Sequence, residues 1–206
     1  MEILQIIGVI TCAITGASEA VKYRLDYFGV FVLGLFTALG GGFMRDIILG
    51  HIPPVMFTAY RYSLAAICSV SVFIIMLSLL HNKLKKHEIT LDYISQIFDA
   101  LGLGAFCIVG TESAMLLDAD NVWMACFVGT LTGVGGGVVR DILLSRVPNV
   151  LKKDIYAIIG IFGTLLFFFL SKAAPKVFAE YFCVCIIVVI RLYVIYKKPQ
   201  FPKFRE

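Results

Sequence analysis

Charge is scarce in this sequence. Only 16% of the 206 residues are Asp, Glu, Lys or Arg, while 60% are hydrophobic and the mean hydropathy is +0.92. A soluble domain of this length carries far more polar surface, so the balance excludes a water-soluble globular fold. Histidine is limited to His51, His81 and His87, all in polar stretches between apolar runs. With no phosphate-binding loop, Ser-His-Asp set or metal-ligand cluster in view, no enzyme activity, metal or other cofactor is expected. Cys12, Cys68, Cys107, Cys126, Cys183 and Cys185 all lie inside apolar runs. Only Cys183 and Cys185 are close, and their i, i+2 spacing puts them on different helix faces, so the cysteines read as small buried residues rather than a disulfide framework. A cleavable leader is not expected either, because only Met1 and Glu2 precede the first apolar run and a basic n-region is missing.

Long apolar runs are what the sequence has in abundance. Seven can be drawn, at about 3–21, 28–49, 56–80, 91–115, 121–144, 154–171 and 177–197. Most approach or exceed the roughly 20 residues needed to cross about 30 Å of hydrocarbon. They use up nearly the whole chain, which therefore reads as one all-α transmembrane domain, integral to the cell (inner) membrane. The nine tyrosines and Trp123 fall near the ends of the runs, where amphipathic rings settle at headgroup level.

The net charge of +4 is distributed by topology, and no nucleic-acid partner is expected. With the N-terminus outside, the inner side holds Lys22, Arg24, Lys83, Lys85, Lys86, Arg146, Lys152, Lys153, Lys197, Lys198, Lys203 and Arg205. The outer side holds only Arg61, Lys172 and Lys176, beside an acidic loop with Asp118 and Asp120. Twelve cations against three favours N-out, C-in by the positive-inside bias. The basic tail is also a candidate contact for anionic membrane lipid.

The chain repeats itself. Residues 34–55 (GLFTALGGGFMRDIILGHIPPV) return 95 positions later as 129–150 (GTLTGVGGGVVRDILLSRVPNV), with 11 of 22 positions identical and no gap. Each copy holds a glycine triplet, Gly40-Gly41-Gly42 or Gly135-Gly136-Gly137, then Arg45-Asp46 or Arg140-Asp141. The repeats span about 3–80 and 91–171, three runs each, with 177–197 left over and His81–Thr90 as linker. An odd number of crossings per copy inverts the second relative to the first, an arrangement typical of transport proteins.

Three consecutive glycines favour a break or kink, so the second and fifth membrane helices are expected to be broken at the triplets. Freed backbone groups at that depth must face protein or water, which makes the triplets candidate pore elements. An intramembrane arginine is costly, so Arg45 and Arg140 are expected to face a polar interior on opposite sides of the midplane. Adjacent helix residues do not face each other, and partners on other helices are therefore expected, with Asp99, Glu112 and Glu19 as acidic candidates. Arg45, Asp46, Arg140, Asp141 and Asp99 are the candidate pore-lining or gating charges; a structural clamp between the repeats is the other reading. Thr37/Thr132 and Ser18/Ser113 occupy matching repeat positions and are candidate pore hydroxyls, although membrane Ser and Thr more often bond their own helix. Pro53 and Pro148 are expected to end the helices.

The doubled GGGxxRD motif with its downstream proline resembles the prokaryotic members of the trimeric intracellular cation (TRIC) channel family, some bacterial relatives of which are described as glycine-transporter-like. The resemblance covers about residues 3–197. It implies a homotrimer with one pore inside each protomer and passive flow of monovalent cations, potassium in particular. The Lys-Glu phosphoinositide motif of the animal channels is not found here. A potassium-permeable channel is thus the leading expectation, and a transporter of a small amino acid such as glycine the alternative: the aspartates suit a cation, the arginines a carboxylate.

Overall fold

The computed structural model describes residues 1–79, 88–152 and 155–197. Most of the His81–Thr90 linker, with His81, His87, Lys83, Lys85 and Lys86, lies outside the described residues. So do Lys153, Lys198, Lys203, Arg205 and the side chain of Lys152.

The described elements are α1 (Glu2–Lys22), α2 (Tyr27–Ile48), α3 (Val55–Thr58), α4 (Tyr60–Leu79), α5 (Glu88–Leu117), α6 (Val122–Leu143), α7 (Asn149–Lys152), α8 (Ile155–Ala173) and α9 (Lys176–Lys197). Seven of them are long and apolar enough to cross a membrane. Each copy packs in the same way: α1 on α2 and α4 in the first, α5 on α6 and α8 in the second. The copies join through α1 against α5 and α2 against α6, while α9 leans on α5 and α8. The inner helices α1 and α5 are the most buried, whereas α4 presents Leu64, Val72, Ile75 and Leu79 outward.

The local signals repeat with the sequence. Asp26 caps α2 by accepting from Gly29 N at 2.7 Å, and Asn121, 95 residues on, caps α6 by accepting from Met124 N at 3.0 Å. Both helices end on a left-handed residue, Gly50 (φ 72°) and its counterpart Ser145 (φ 52°). The next N–H then reaches back, from His51 to Asp46 O at 2.8 Å and from Arg146 to Asp141 O at 3.0 Å. These turns, not Pro53 and Pro148, terminate the helices; the prolines come three residues later. The third apolar run is also divided, because α3 stands apart from α4 as a separate turn, and α7 precedes α8 in the same way.

The expected break at the triplets is not there. Both α2 and α6 run as uninterrupted α-helix through Gly40–Gly42 and Gly135–Gly137. Helix crossing is what demands the glycines. A side-chain carbon at Gly41 would collide with the Thr132 carbonyl oxygen, and one at Gly136 with the Thr37 carbonyl oxygen. Gly135 is tight as well, since its Cβ would lie 3.1 Å from Gly41 Cα. Contact rises along one helix as it falls along the other (41 with 132, 37 with 136), so α2 and α6 cross antiparallel at backbone distance. Small residues permit this close approach, which supplies the van der Waals contact that drives association in lipid. Other small-residue positions also pack within the protomer: Gly8 faces Phe106 and Gly16 faces Thr37.

Gly42 and Gly137 differ from their neighbours. A Cβ at Gly42 would meet only Arg45 Nη2 at 3.9 Å, and one at Gly137 Arg140 Nη2 at 3.7 Å and the Tyr156 hydroxyl at 3.8 Å. Gly41→Ala or Gly136→Ala should therefore destabilise the protein by about 1–3 kcal/mol through overpacking. Gly42→Ala should be neutral, or stabilising by a few tenths to about 1 kcal/mol through helix propensity. Thermal unfolding in detergent checks the contrast: equal losses at positions 41 and 42 would refute it.

Candidate functional site: the crossing and its polar vestibule

The repeated Arg-Asp pairs sit in the last turns of α2 and α6, one helix turn beyond the triplets. Contrary to expectation, each arginine bonds its own neighbour. Arg45 Nε donates to Asp46 Oδ1 at 2.8 Å and Nη2 approaches the same oxygen at 2.7 Å. Arg140 Nε donates to Asp141 Oδ1 at 2.9 Å. The aspartate is held from its other side: Val55 N donates to Asp46 Oδ2 at 2.8 Å, and Asn149 N to Asp141 Oδ2 at 2.7 Å. A carboxylate pinned to the following short helix is a fixed target, and the long guanidinium stem curls to it, which the helix-face rule for ideal side chains does not anticipate. The donor shifts by one residue between copies because Pro54, the counterpart of Asn149, has no N–H. All four side chains are at most 5% exposed. The guanidiniums fold back beside Gly42 and Gly137, within ordinary contact distance of where a Cβ would stand.

The copies then diverge. The Arg45 end has the Arg45–Asp46 pair and no second ion-pair partner for either among the described residues. The Arg140 end opens into a polar cavity of about 170 Å³ walled by Glu19, Lys22, Asp99, Arg140, Arg146 and Arg191, among others. Arg146 bonds Asp141 Oδ1 through Nη2 at 2.6 Å and Glu19 Oε2 through Nη1 at 2.8 Å. Lys22 donates to Glu19 Oε1 at 2.8 Å and also pairs with Asp92, and Ser95 Oγ donates to Glu19 at 3.2 Å. Asp99 faces two guanidiniums, Arg140 Nη1 at 3.5 Å and Arg191 Nη2 at 3.8 Å. This cavity sits on the α6 side of the crossing and is lined by Arg140, whose guanidinium lies near Gly137.

Of the expected charges, Arg140, Asp141 and Asp99 come together here, whereas Arg45 and Asp46 lie at the end of the antiparallel helix. Glu19 joins the vestibule; Glu112, towards the other end of α5, instead pairs with Lys176 at the start of α9. The four candidate hydroxyls turn inward to their own helices: Thr37 to Leu33 O, Thr132 to Val128 O, Ser18 to Ile14 O and Ser113 to Val109 O, at 2.6–2.8 Å. Each thereby uses its one proton on backbone, and all four are buried. Arg191 was missed, although an arginine inside the apolar run 177–197 is the same signal that singled out Arg45. Among the described residues, no group of three His, Cys, Asp or Glu is placed to hold a metal.

Comparison with known proteins follows this geometry. A family profile described as Glycine transporter matches residues 2–78 and again 96–172, once per repeat. The Escherichia coli K12 inner membrane protein YadS is 36% identical over 163 residues, 79% of this chain and 75% of that protein. Bacillus subtilis YvgT, a membrane protein, is 33% identical over 80% of this chain and 78% of its own length. Among solved structures, a TRIC cation channel studied for its conductance superposes at TM-score 0.84 with 33% identity, covering 100% of this chain and 98% of that one. A prokaryotic TRIC channel in 0.5 M KCl gives 0.85 at 28% identity over 97% and 98% of the two chains.

The two aspartates carry unequal burdens. Asp141→Ala leaves Arg140 facing Asp99 and Arg146 bonded to Glu19, whereas Asp46→Ala leaves Arg45 with no ion-pair partner among the described residues; each variant also frees the first N–H of the following short helix. Leaving a buried charge without its partner costs about 3–5 kcal/mol, so both variants should unfold at lower temperature, with Asp46→Ala the less stable. Unfolding midpoints in detergent in the reverse order would contradict the assignment.

Proposed function

The chain belongs to the family of the TRIC channels, as an integral multi-pass membrane protein, and from that premise we propose that it is a cation channel permeable to potassium. The relatives named above are membrane proteins and channels rather than enzymes. The path runs inside each protomer of a homotrimer, along the α2/α6 crossing. The observation that carries this reading is the placement of a charged cavity around Arg140, one helix turn beyond the glycines at which two inverted helices cross. Buried polar groups at membrane depth mark substrate or ion pathways. Arginine beside a cation path is an obstacle only when its charge is unopposed. Arg45 and Arg140 each lie within 2.9 Å of a carboxylate oxygen, so their fields are largely cancelled. In this structure the contact between the α2 and α6 backbones leaves no gap at Gly41 and Gly136, as in a closed path; conduction then requires the two helices to part.

The second reading is transport of a small amino acid. It draws on the family description and on the three guanidiniums around the cavity, which suit a carboxylate. The purified protein in planar bilayers under a potassium gradient should give discrete unitary currents, and liposomes should show no saturable glycine uptake. Uptake without unitary currents would replace the channel with the transporter. Native mass spectrometry should give a trimer; a dimer across a range of concentrations would defeat the assembly.

The vestibule end carries Lys22 and Arg146 and lies on the side of the inner cations, which supports an N-out, C-in orientation with the vestibule facing the cytoplasm. A reporter fused after Glu206 should be active in the cytoplasm, and a cysteine introduced in the 118–121 loop should be labelled from outside. A periplasmic reporter at the C-terminus would reverse the topology.

A further inference from the structure

Arg191 comes from α9, the one membrane helix outside the two repeats, and reaches the same carboxylate as the motif arginine Arg140. Its hold is loose. Nη2 stands 3.8 Å from Asp99 Oδ2, beyond hydrogen-bond distance, and Nε has no partner among the described residues although Arg191 is only 4% exposed. The guanidinium rests 4.4 Å over the Tyr156 ring, a contact that stabilises a cation without fixing it in place. Arg45, Arg140 and Arg146 by contrast are each anchored to a carboxylate at 2.9 Å or less. Asp99 is correspondingly underused: its other neighbour, Arg140 at 3.5 Å, is already bonded to Asp141, and its side chain is 17% exposed to the cavity.

We infer that Arg191 is a tethered counter-cation, occupying at Asp99 the position that the vestibule otherwise offers to a permeant cation, and so limiting how many cations the vestibule holds. The inference rests on the channel reading above. A mobile cation and the guanidinium compete for one carboxylate, and the guanidinium is always present at high local concentration because it is attached. The one-sidedness follows from the sequence. At the other end of the crossing the counterpart of Asp99 is Leu4, that of Glu19 is Ala114, and α9 has no counterpart at all. The device thus acts on cations at the vestibule mouth alone.

Removing one positive charge about 4 Å from a cation raises that cation's occupancy about fivefold even at the dielectric of bulk water. Arg191→Gln should therefore increase unitary potassium conductance about two- to fivefold at roughly 0.1 M salt, with the gain shrinking at about 1 M, where the Debye length falls to about 3 Å. Arg191→Gln combined with Asp99→Asn should lose the gain. Wild-type currents with an unchanged Arg191→Gln conductance would overturn the inference and leave the channel standing. A silent wild type that takes up glycine would remove the channel reading itself, and this inference with it. Should Arg191→Gln fail to assemble as the wild type does on gel filtration, Asp99→Asn alone decides. It leaves the guanidinium unopposed, so conductance at about 0.1 M should fall several-fold, and an unchanged value would overturn the inference.

Discussion

Two backbones in contact at the centre of the protein set the terms for everything around them. Gly41 against the Thr132 carbonyl and Gly136 against the Thr37 carbonyl leave no space for even a methyl group. Lipid tails are as apolar as leucine, so helices in a membrane associate through such close fits and not through hydrophobic exclusion. Because the contact pairs are exchanged by the repeat, one geometry is stabilised twice, and any shift of α2 against α6 loosens both halves together. Thr37 and Thr132 complete the seam: their carbonyls take the opposite glycines, and their side chains press on Gly16 of α1 and Gly110 of α5.

The charges are arranged around that seam. A guanidinium one turn beyond each triplet folds back beside the third glycine and is neutralised by the aspartate that follows it. The aspartate has a second duty, since its other oxygen holds the first N–H groups of the short helix beyond the turn. Removing the aspartate therefore does more than unpair an arginine. It also releases the segment that returns the chain into the membrane, which couples the charge at the crossing to the positions of α4 and α8.

Much of this was legible in the sequence, for definite reasons. Apolar runs of about 20 residues have only one use, so the seven spans emerged within a few residues of their observed limits. An ungapped repeat with an odd helix count per copy implied the inversion without any contact information. The glycine triplets were located correctly but given the wrong task. Backbone entropy penalises glycine in an isolated helix, yet here a partner backbone supplies contact in return, a tertiary effect that one sequence segment does not display. The Arg-Asp pairing was hidden because face rules assume straight, independent side chains, and the N–H groups that orient the aspartates come from eight or nine residues away. The vestibule was half visible. Asp99 and Glu19 stood out as charges in apolar runs, but nothing along the chain shows that Arg146 and Arg191 converge on them from a loop and a helix outside the repeats.

Inverted duplication produces two equal ends, and a channel built from it would treat the two sides of the membrane alike. In this chain the equality stops at the motif. Asp26 and Asn121, Gly50 and Ser145, and the two Arg-Asp pairs keep the same backbone duties in both copies even where the side chains differ. The groups that face the cavity follow no such rule: Glu19, Lys22, Asp99 and Arg146 are matched by Ala114, Leu117, Leu4 and His51. Positions that hold the crossing together are thus constrained in both repeats by one geometry. Positions that meet solvent at a single mouth are free to differ, since a charge placed there has no structural counterpart to disturb. Closing α9 over the second repeat widens the difference, because it brings a guanidinium to one end only. The symmetric part of the sequence makes the crossing, and the asymmetric part decides what that mouth presents to an ion.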